Sequence, residues 1–259
     1  MRSIGPVDDD RLRAASAEST AFLRALGTAG EGARVVEPDG ILAVVVPLCP
    51  ERSIVNGVVY DGAARLEAAY PELERLYSDA DVDAWTVWVP PDDHEAAGFL
   101  AAHGHVLDGE PEAMAMGLDG VARPDDDGSI NWTRGANQAL VGAINDAAYG
   151  FDGSFERVLG AVPRGTGEWY LAYLDDEPAS ALVTFDEHVN ADVDMVATMP
   201  RAQGRGLAGF LMRQALADAR DRGCETTTLV ATESGRPMYE RLGYRALGSI
   251  QMWERRVPG

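Results

Sequence analysis

The chain has 259 residues, 46% of them hydrophobic and 25% charged, enough apolar material for one large globular core or two small ones. Its 42 acidic side chains face 22 basic ones, all arginine, for a formal net charge of −20. That balance excludes a broad basic face for nucleic acid or an anionic membrane, so any anionic ligand has to be held locally.

No apolar run reaches the roughly 18 residues that span a bilayer. The amino terminus, MRSIGPVDDD, lacks the apolar core of a signal peptide, so a cytoplasmic protein is expected. Cys49 and Cys224 lack metal or redox-motif spacing and read as small buried apolar residues. The 4 histidines are scattered, and no metal site is expected.

In chain order, residues 9–26 have helical spacing, 41–46 and 54–60 read as strands, and 62–77 as a helix broken near Pro71. A buried strand at 84–89 and a short helix at 94–103 follow. The polar stretch from Asp119 to Gly128, DGVARPDDDG, reads as a linker. The expected division is therefore a first domain over 1–120, a linker over 121–130 and a second domain over 131–259. In the second domain a helix over 136–149 precedes strands at 168–174 and 179–185, which flank the turn Asp175-Asp-Glu-Pro178. Then come a strand at 191–198, a helix from about Gly204 to Arg222, a β-branched strand at 226–231, a short helix at 236–242 and a last strand at 251–255. This order specifies a mixed α/β sheet. The first half repeats it: Gly98-Phe-Leu-Ala-Ala-His-Gly-His105 matches Pro237-Met-Tyr-Glu-Arg-Leu-Gly-Tyr244 in position, which suggests an internal duplication.

The most informative stretch is Pro200-Arg-Ala-Gln-Gly-Arg-Gly-Leu-Ala208, where a strand runs into glycines at a helix start. Glycine is costly to order, so the cluster needs a reason. The first turn of a helix has unpaired amides and a partial positive charge, and glycines let a phosphate reach them. A close-packed turn is the competing explanation. A Walker loop would need a lysine, and a dinucleotide fingerprint would follow the first strand of a βαβ unit.

With this context, Gln203-Gly-Arg-Gly206-Leu-Ala208, the preceding Val196-Ala-Thr-Met-Pro200, and Ala231-Thr-Glu-Ser-Gly-Arg-Pro-Met-Tyr-Glu-Arg-Leu-Gly-Tyr244 resemble the GNAT superfamily of acyl-CoA-dependent N-acyltransferases. The likeness runs over about half the chain, from Gly128 to Arg255, and implies two tandem GNAT-like copies with an eroded first copy. It implies that the backbone amides of Gln203, Gly204, Arg205, Gly206, Leu207 and Ala208 bind the pyrophosphate of coenzyme A. The pantetheine arm would pair with the strand edge at Val196, Ala197 and Thr198, where two parallel strands splay. The N–H of Thr198 or Val196 would polarise the thioester carbonyl. Tyr239 matches the tyrosine that protonates the leaving thiolate. Asp192 occupies the strand position of a glutamate base, and Asp194 shares its face; the base is one of these two or a water chain. Thr232 stands where many relatives place an asparagine that contacts the cofactor. The loop Tyr149-Gly-Phe-Asp-Gly-Ser154 would border the acceptor.

In the first half, Asp61 and a single Gly62 stand where the loop glycines would be, and Leu100 aligns with Tyr239. This copy is expected to bind no coenzyme A. The resemblance thus implies a metal-free N-acetyltransferase, monomer or homodimer, moving an acetyl group from acetyl-CoA to a primary amine of a small molecule. The alternative is a non-catalytic acyl-CoA sensor or an interaction module.

Overall fold

The computed structural model describes residues 9–18 and 20–257; residues 1–8, on which part of the signal-peptide reading rests, lie outside the described residues. The first half contains α1 (Asp9–Glu18), α2 (Ala21–Leu26), β1 (Arg34–Val36), β2 (Ile41–Val45), β3 (Gly57–Tyr60), α3 (Ala63–Ser78), β4 (Ala84–Val89), α4 (His94–Ala102), β5 (Val106–Gly109) and β6 (Glu112–Gly117). The second half contains β7 (Trp132–Arg134), α5 (Gln138–Tyr149), α6 (Ser154–Ala161), β8 (Glu168–Leu174), β9 (Glu177–Glu187), β10 (Asn190–Thr198), α7 (Leu207–Arg222), β11 (Thr226–Ala231), α8 (Arg236–Leu242), β12 (Arg245–Ser249) and β13 (Gln251–Arg256).

Local chemistry sets many boundaries. Asn137 caps α5 by accepting the Ala139 amide, and Gly150, Gly223 and Gly243 end α5, α7 and α8 in the left-handed region, where a side chain would be strained. Asp175 and Asp176 both have positive φ, as a tight turn between β8 and β9 requires. Three expectations are revised. The segment 9–26 is two helices, α3 runs through Pro71, and residues 53–55 form a 3-10 turn before β3. In α3 the burial of Leu66, Tyr70, Leu73 and Tyr77 on one stripe outweighs the backbone bond that proline removes.

The described residues form a 6-stranded sheet, β1-β2-β3-β4-β13-β5, and a 7-stranded sheet, β12-β6-β11-β10-β9-β8-β7. The two match strand for strand: β1, β2, β3, β4, β13 and β5 correspond to β8, β9, β10, β11, β6 and β12. In each, the strand beside the outer member of the parallel pair comes from the other half of the sequence. The chain accordingly divides into a larger compact unit (1–22, 112–160, 164–247) and a smaller one (23–111, 161–163, 248–259). The segment 121–130 lies within the larger unit. There Arg123 forms ion pairs with Asp218 (2.7 Å) and Asp221 (2.9 Å) of α7, and Val121 and Ile130 pack on its core.

In the larger unit α7 and α8 cover the sheet face carrying Tyr170, Leu182, Ala191, Val193 and Leu229. Asn145 of α5 reaches the bulged backbone of β10, and α1 packs on β11 and β6. β6 pairs with β11 over its whole length, from Thr226↔Gly117 to Ala231↔Glu112, and buries Met114 in the core. Residues 131–259 made alone would lack this strand and expose β13. We expect that fragment to be insoluble or molten by near-ultraviolet circular dichroism, with co-expression of residues 1–130 restoring a cooperative melt.

The smaller unit has its own aromatic core. His105 is buried, and its Nδ1 lies 3.0 Å from the Trp253 carbonyl, which can only accept; Nδ1 therefore carries the proton, and Tyr70 donates to Nε2 (3.0 Å). Burial pushes the imidazole pKa down to about 4. A base with a depressed folded-state pKa leaves stability intact above its unfolded value, and stability falls as pH drops from about 6.5 towards 4, by ~3 kcal/mol in total. His105→Gln should be less stable near neutral pH yet lose less between neutrality and pH 4, measured by urea unfolding across that range.

Candidate active site

β10 and β11 are parallel, but their pairing stops at Asp192↔Thr228. Beyond it β11 stays with β6 and β10 stays with β9, so residues 193–198 and 229–231 face each other across an opening in the middle of the sheet. The cause is local. Between the pairs Asp194↔Val183 and Ala197↔Ala181, β10 advances three residues while β9 advances two, leaving one extra residue in β10. Met195 takes φ +54 there, its carbonyl accepts from the buried Asn145 Nδ2 (3.0 Å), and the Val196 carbonyl accepts from the Tyr149 hydroxyl (3.2 Å).

After the bulge, the Ala197 carbonyl accepts from Ser180 Oγ (3.0 Å) and the Met199 amide donates to Ala179 (2.8 Å), so these residues face β9. By alternation, Val196 and Thr198 direct their backbone groups to the opening. Gln203 Nε2 lies 3.4 Å from the Thr198 carbonyl. The chain then turns through Gly204 (φ +74) and Gly206 (φ +79) into α7. No atom lies within 4 Å of the position a Cβ would take at either glycine, so packing is not what demands them. Among the described residues the amides of Gly204, Arg205, Gly206, Leu207, Ala208 and Gly209 meet no acceptor, and the next amide, of Phe210, returns to the Gly206 carbonyl. The exposed Arg205 pairs with no carboxylate among the described residues. Consecutive free amides, the positive end of a helix and an unpaired guanidinium fit a diphosphate, and with it the coenzyme A group.

Tyr239 lies on α8 with its ring in the α7-side core, 6% exposed and 5.9 Å from the Tyr244 ring. Its hydroxyl has no hydrogen-bond partner among the described residues. Burial raises its pKa, and Tyr149 and Asp194 add to the effect, which keeps it a proton donor. Asp192 and Asp194 lie on the opposite sheet face, by alternation with the core residues Ala191 and Val193. Asp192 accepts from Thr228 Oγ1 (3.1 Å) at the last paired position, and the Asp194 carboxyl two residues on shares its face of the strand. Burial first, and then the Asp192 carboxylate, raise the Asp194 pKa well above the usual carboxylate range. The candidate acid and base thus stand on opposite faces of the sheet and meet through the gap.

The other candidates have other local partners. The Thr232 hydroxyl accepts the Gly235 amide (3.2 Å) and lies 3.2 Å from Ser234 Oγ. In the loop after α5, Tyr149 and Phe151 stack with centroids 6.1 Å apart, while Asp146 accepts the Phe155 and Glu156 amides at the start of α6. Sequence reasoning missed Asn145, Thr228 and Val230; the last is 48% exposed on the unpaired part of β11, an apolar residue in a central strand. No spacing signals them, because each matters only through a strand or helix distant in sequence. Among the described residues no group of three acidic, histidine or cysteine side chains could hold a metal ion, and no helix is long and apolar enough to cross a membrane.

Comparisons with known proteins agree with this geometry. No curated protein matches the chain. Among solved structures, a GCN5-related N-acetyltransferase from Kribbella flavida superposes with TM-score 0.64 at 17% identity over 95% of this chain and 96% of its own. One from Sphaerobacter thermophilus gives 0.60 at 18% identity over 94% of both chains. A tandem GNAT protein from the clavulanic acid biosynthesis pathway gives 0.55 at 15% identity over 98% of both. These likenesses establish the fold. The sequence profile of the acetyltransferase (GNAT) family matches residues 137–244, the stretch from the cap of α5 to the tyrosine after α8. With the opened parallel pair and the glycine turn inside that stretch, the chain carries an acetyltransferase domain of the GNAT family.

Proposed function

We propose that the protein is an N-acetyltransferase that moves an acetyl group from acetyl-CoA directly to the primary amine of a small molecule in a ternary complex. The observation that carries this reading is the row of six unpartnered amides from Gly204 to Gly209, next to the open edge of β10. The amides of Gly204 to Ala208, with the neighbouring Gln203, would hold the diphosphate. The edge at Val196 and Thr198, with Ala197 between them, would receive the pantetheine arm, and Thr232 would flank the cofactor. One of the edge amides would donate to the thioester oxygen as negative charge develops there.

Coenzyme A supplies a thioester whose thiolate leaves readily. The protein's own part is to orient the amine, take its proton and return one to sulfur. Asp192, at the last paired position, is the base, and Tyr239 is the acid. The acetyl carbon would lie in the gap between them, and Tyr149 and Val230 would border the acceptor. The net charge of −20 favours a cationic amine. Cys49 and Cys224 are buried thiols, which suits a reducing cytoplasm.

The smaller unit serves as a degenerate copy. Its parallel pair also ends early, after Val58↔Val87, but Tyr60 donates to Asp93 (2.8 Å) and Asp61 stands at the entrance to α3. Both would work against a diphosphate. One acetyl-CoA per chain is therefore expected in isothermal titration. Gly204→Asp with Gly206→Asp should abolish binding by adding negative charge and straining the left-handed turn, with a thermal melt checking that the protein stays folded; undiminished binding would refute the cradle. With mass-spectrometric detection of acetylated products across an amine panel, Tyr239→Phe should lower kcat ~10- to 1000-fold with the acetyl-CoA Kd unchanged. Binding without turnover on any amine would make the protein an acyl-CoA sensor.

A further inference from the structure

The Asp192–Asp194 contact has a chemical consequence beyond the choice of base. Two neighbouring carboxylates on one strand face offer each other only acceptors when both are ionised, and Asp194 Oδ2 is enclosed with no donor, so the pair is stable with a proton on one of them. The surroundings decide which. Asp192 accepts from Thr228 Oγ1, a donor that favours the ionised form. Asp194 has its Oδ2 enclosed and without a partner, and no basic side chain pairs with it among the described residues. An enclosed carboxylate oxygen with no donor is costly, whereas the carbonyl oxygen of a neutral acid is much less so. The titratable groups that act on Asp194 are Asp192 on its own strand and, across the opening, Tyr239 of α8, with Tyr149 at the end of α5 also close to that phenol.

We propose that Asp192 and Asp194 share one proton, held on Asp194, and that the pair relays protons through the opening from the amine on one sheet face to Tyr239 on the other. The relay rests on the transferase reading above. Two protons leave the nitrogen and one reaches sulfur. The first N–H bond breaks as its proton moves to the Asp192 carboxylate, and the freed electron pair attacks the acetyl carbon. When the C–S bond breaks, its electron pair stays on sulfur, which takes the Tyr239 proton; Asp194 reprotonates the phenolate, directly or through one water. A proton then crosses from Asp192 to Asp194 and resets the pair. The second nitrogen proton passes to solvent, so the reaction releases one proton overall. Asp194 acts through its neighbours, and Tyr239 is spared from waiting on bulk solvent.

The pair is competent only while it holds one proton. The kcat profile should fall on the acid side, where Asp192 is already protonated, and on the alkaline side, where the shared proton is lost. Asp194→Asn keeps the shape and should leave acetyl-CoA affinity by titration calorimetry unchanged. It should lower kcat ~10- to 100-fold and remove the alkaline limb, while Asp192→Asn removes the acid limb. A readout independent of turnover is infrared spectroscopy near neutral pH. The wild type should have a carboxylic-acid C=O band that Asp194→Asn lacks, with thermal melts verifying that the variant is folded. Absence of that band in the wild type, or an Asp194→Asn enzyme with wild-type kcat and pH profile, overturns the proposal. A wild-type protein with the band but no affinity for acetyl-CoA refutes the transferase reading and the relay with it, and leaves only the shared proton standing.

Discussion

The site depends on one constraint: β10 and β11 cannot stay paired past Asp192 and Thr228 because each is held by its outer neighbour. β11 keeps β6 to its last residue. β10 keeps β9 but carries an extra residue, and Asn145 and Tyr149 bind the two carbonyls that the bulge turns outward. Unpaired backbone in the middle of a sheet is ordinarily costly. Here it persists because the bonds on the outer edges are kept and the bulged carbonyls have found side-chain donors, so the unmet groups are confined to one edge facing the opening.

That constraint makes the first half of the sequence part of the site. The strand restraining β11 is β6, whose residues precede the GNAT-matching segment. Glu112 of β6 also forms an ion pair with Arg236 at the start of α8 (2.8 Å), and Met116 touches the position beside Gly243 at its end. The helix carrying Tyr239 is thus gripped at both ends by a borrowed strand. The same slot in the smaller sheet is filled by β13, from the far end of the chain, so the exchange is reciprocal. Reciprocal exchange makes each half necessary to the other's sheet, since each sheet is incomplete without a strand from the other half.

Charge is arranged on the same plan. In a chain of net charge −20, Arg205 pairs with no carboxylate among the described residues and stands at the mouth of α7 beside six free amides. On the opposite face two aspartates are neighbours on one strand. Their proximity would be destabilising if both were ionised, and burial with the neighbouring carboxylate raises the Asp194 pKa well above the usual carboxylate range. The free amides with Arg205 and the two aspartates lie on opposite sides of the sheet, with its opening between them.

Much of this was legible in the residues. Gly204 and Gly206 announced a helix start with room for a ligand because only glycine enters that turn without strain, and the spacing of Val196-Ala-Thr, the glycine loop and Tyr239 identified the family. Asp192 and Asp194 shared a face by strand alternation alone. The short strands β1, β5, β6, β7 and β12 were missed. They carry little periodicity of their own and exist because a neighbour supplies hydrogen bonds. The segment 121–130 read as a linker because its composition is polar; Arg123 ties it to α7 through acidic residues almost a hundred positions away. What the sequence by itself determined was local: the element types, the caps, the amide cradle and the facing carboxylates, all fixed by neighbours within a few residues. Only the tertiary structure decided which half completes which sheet, where the parallel pair parts and which aspartate has an oxygen enclosed, because these follow from strand partners and burial that arise once distant segments meet.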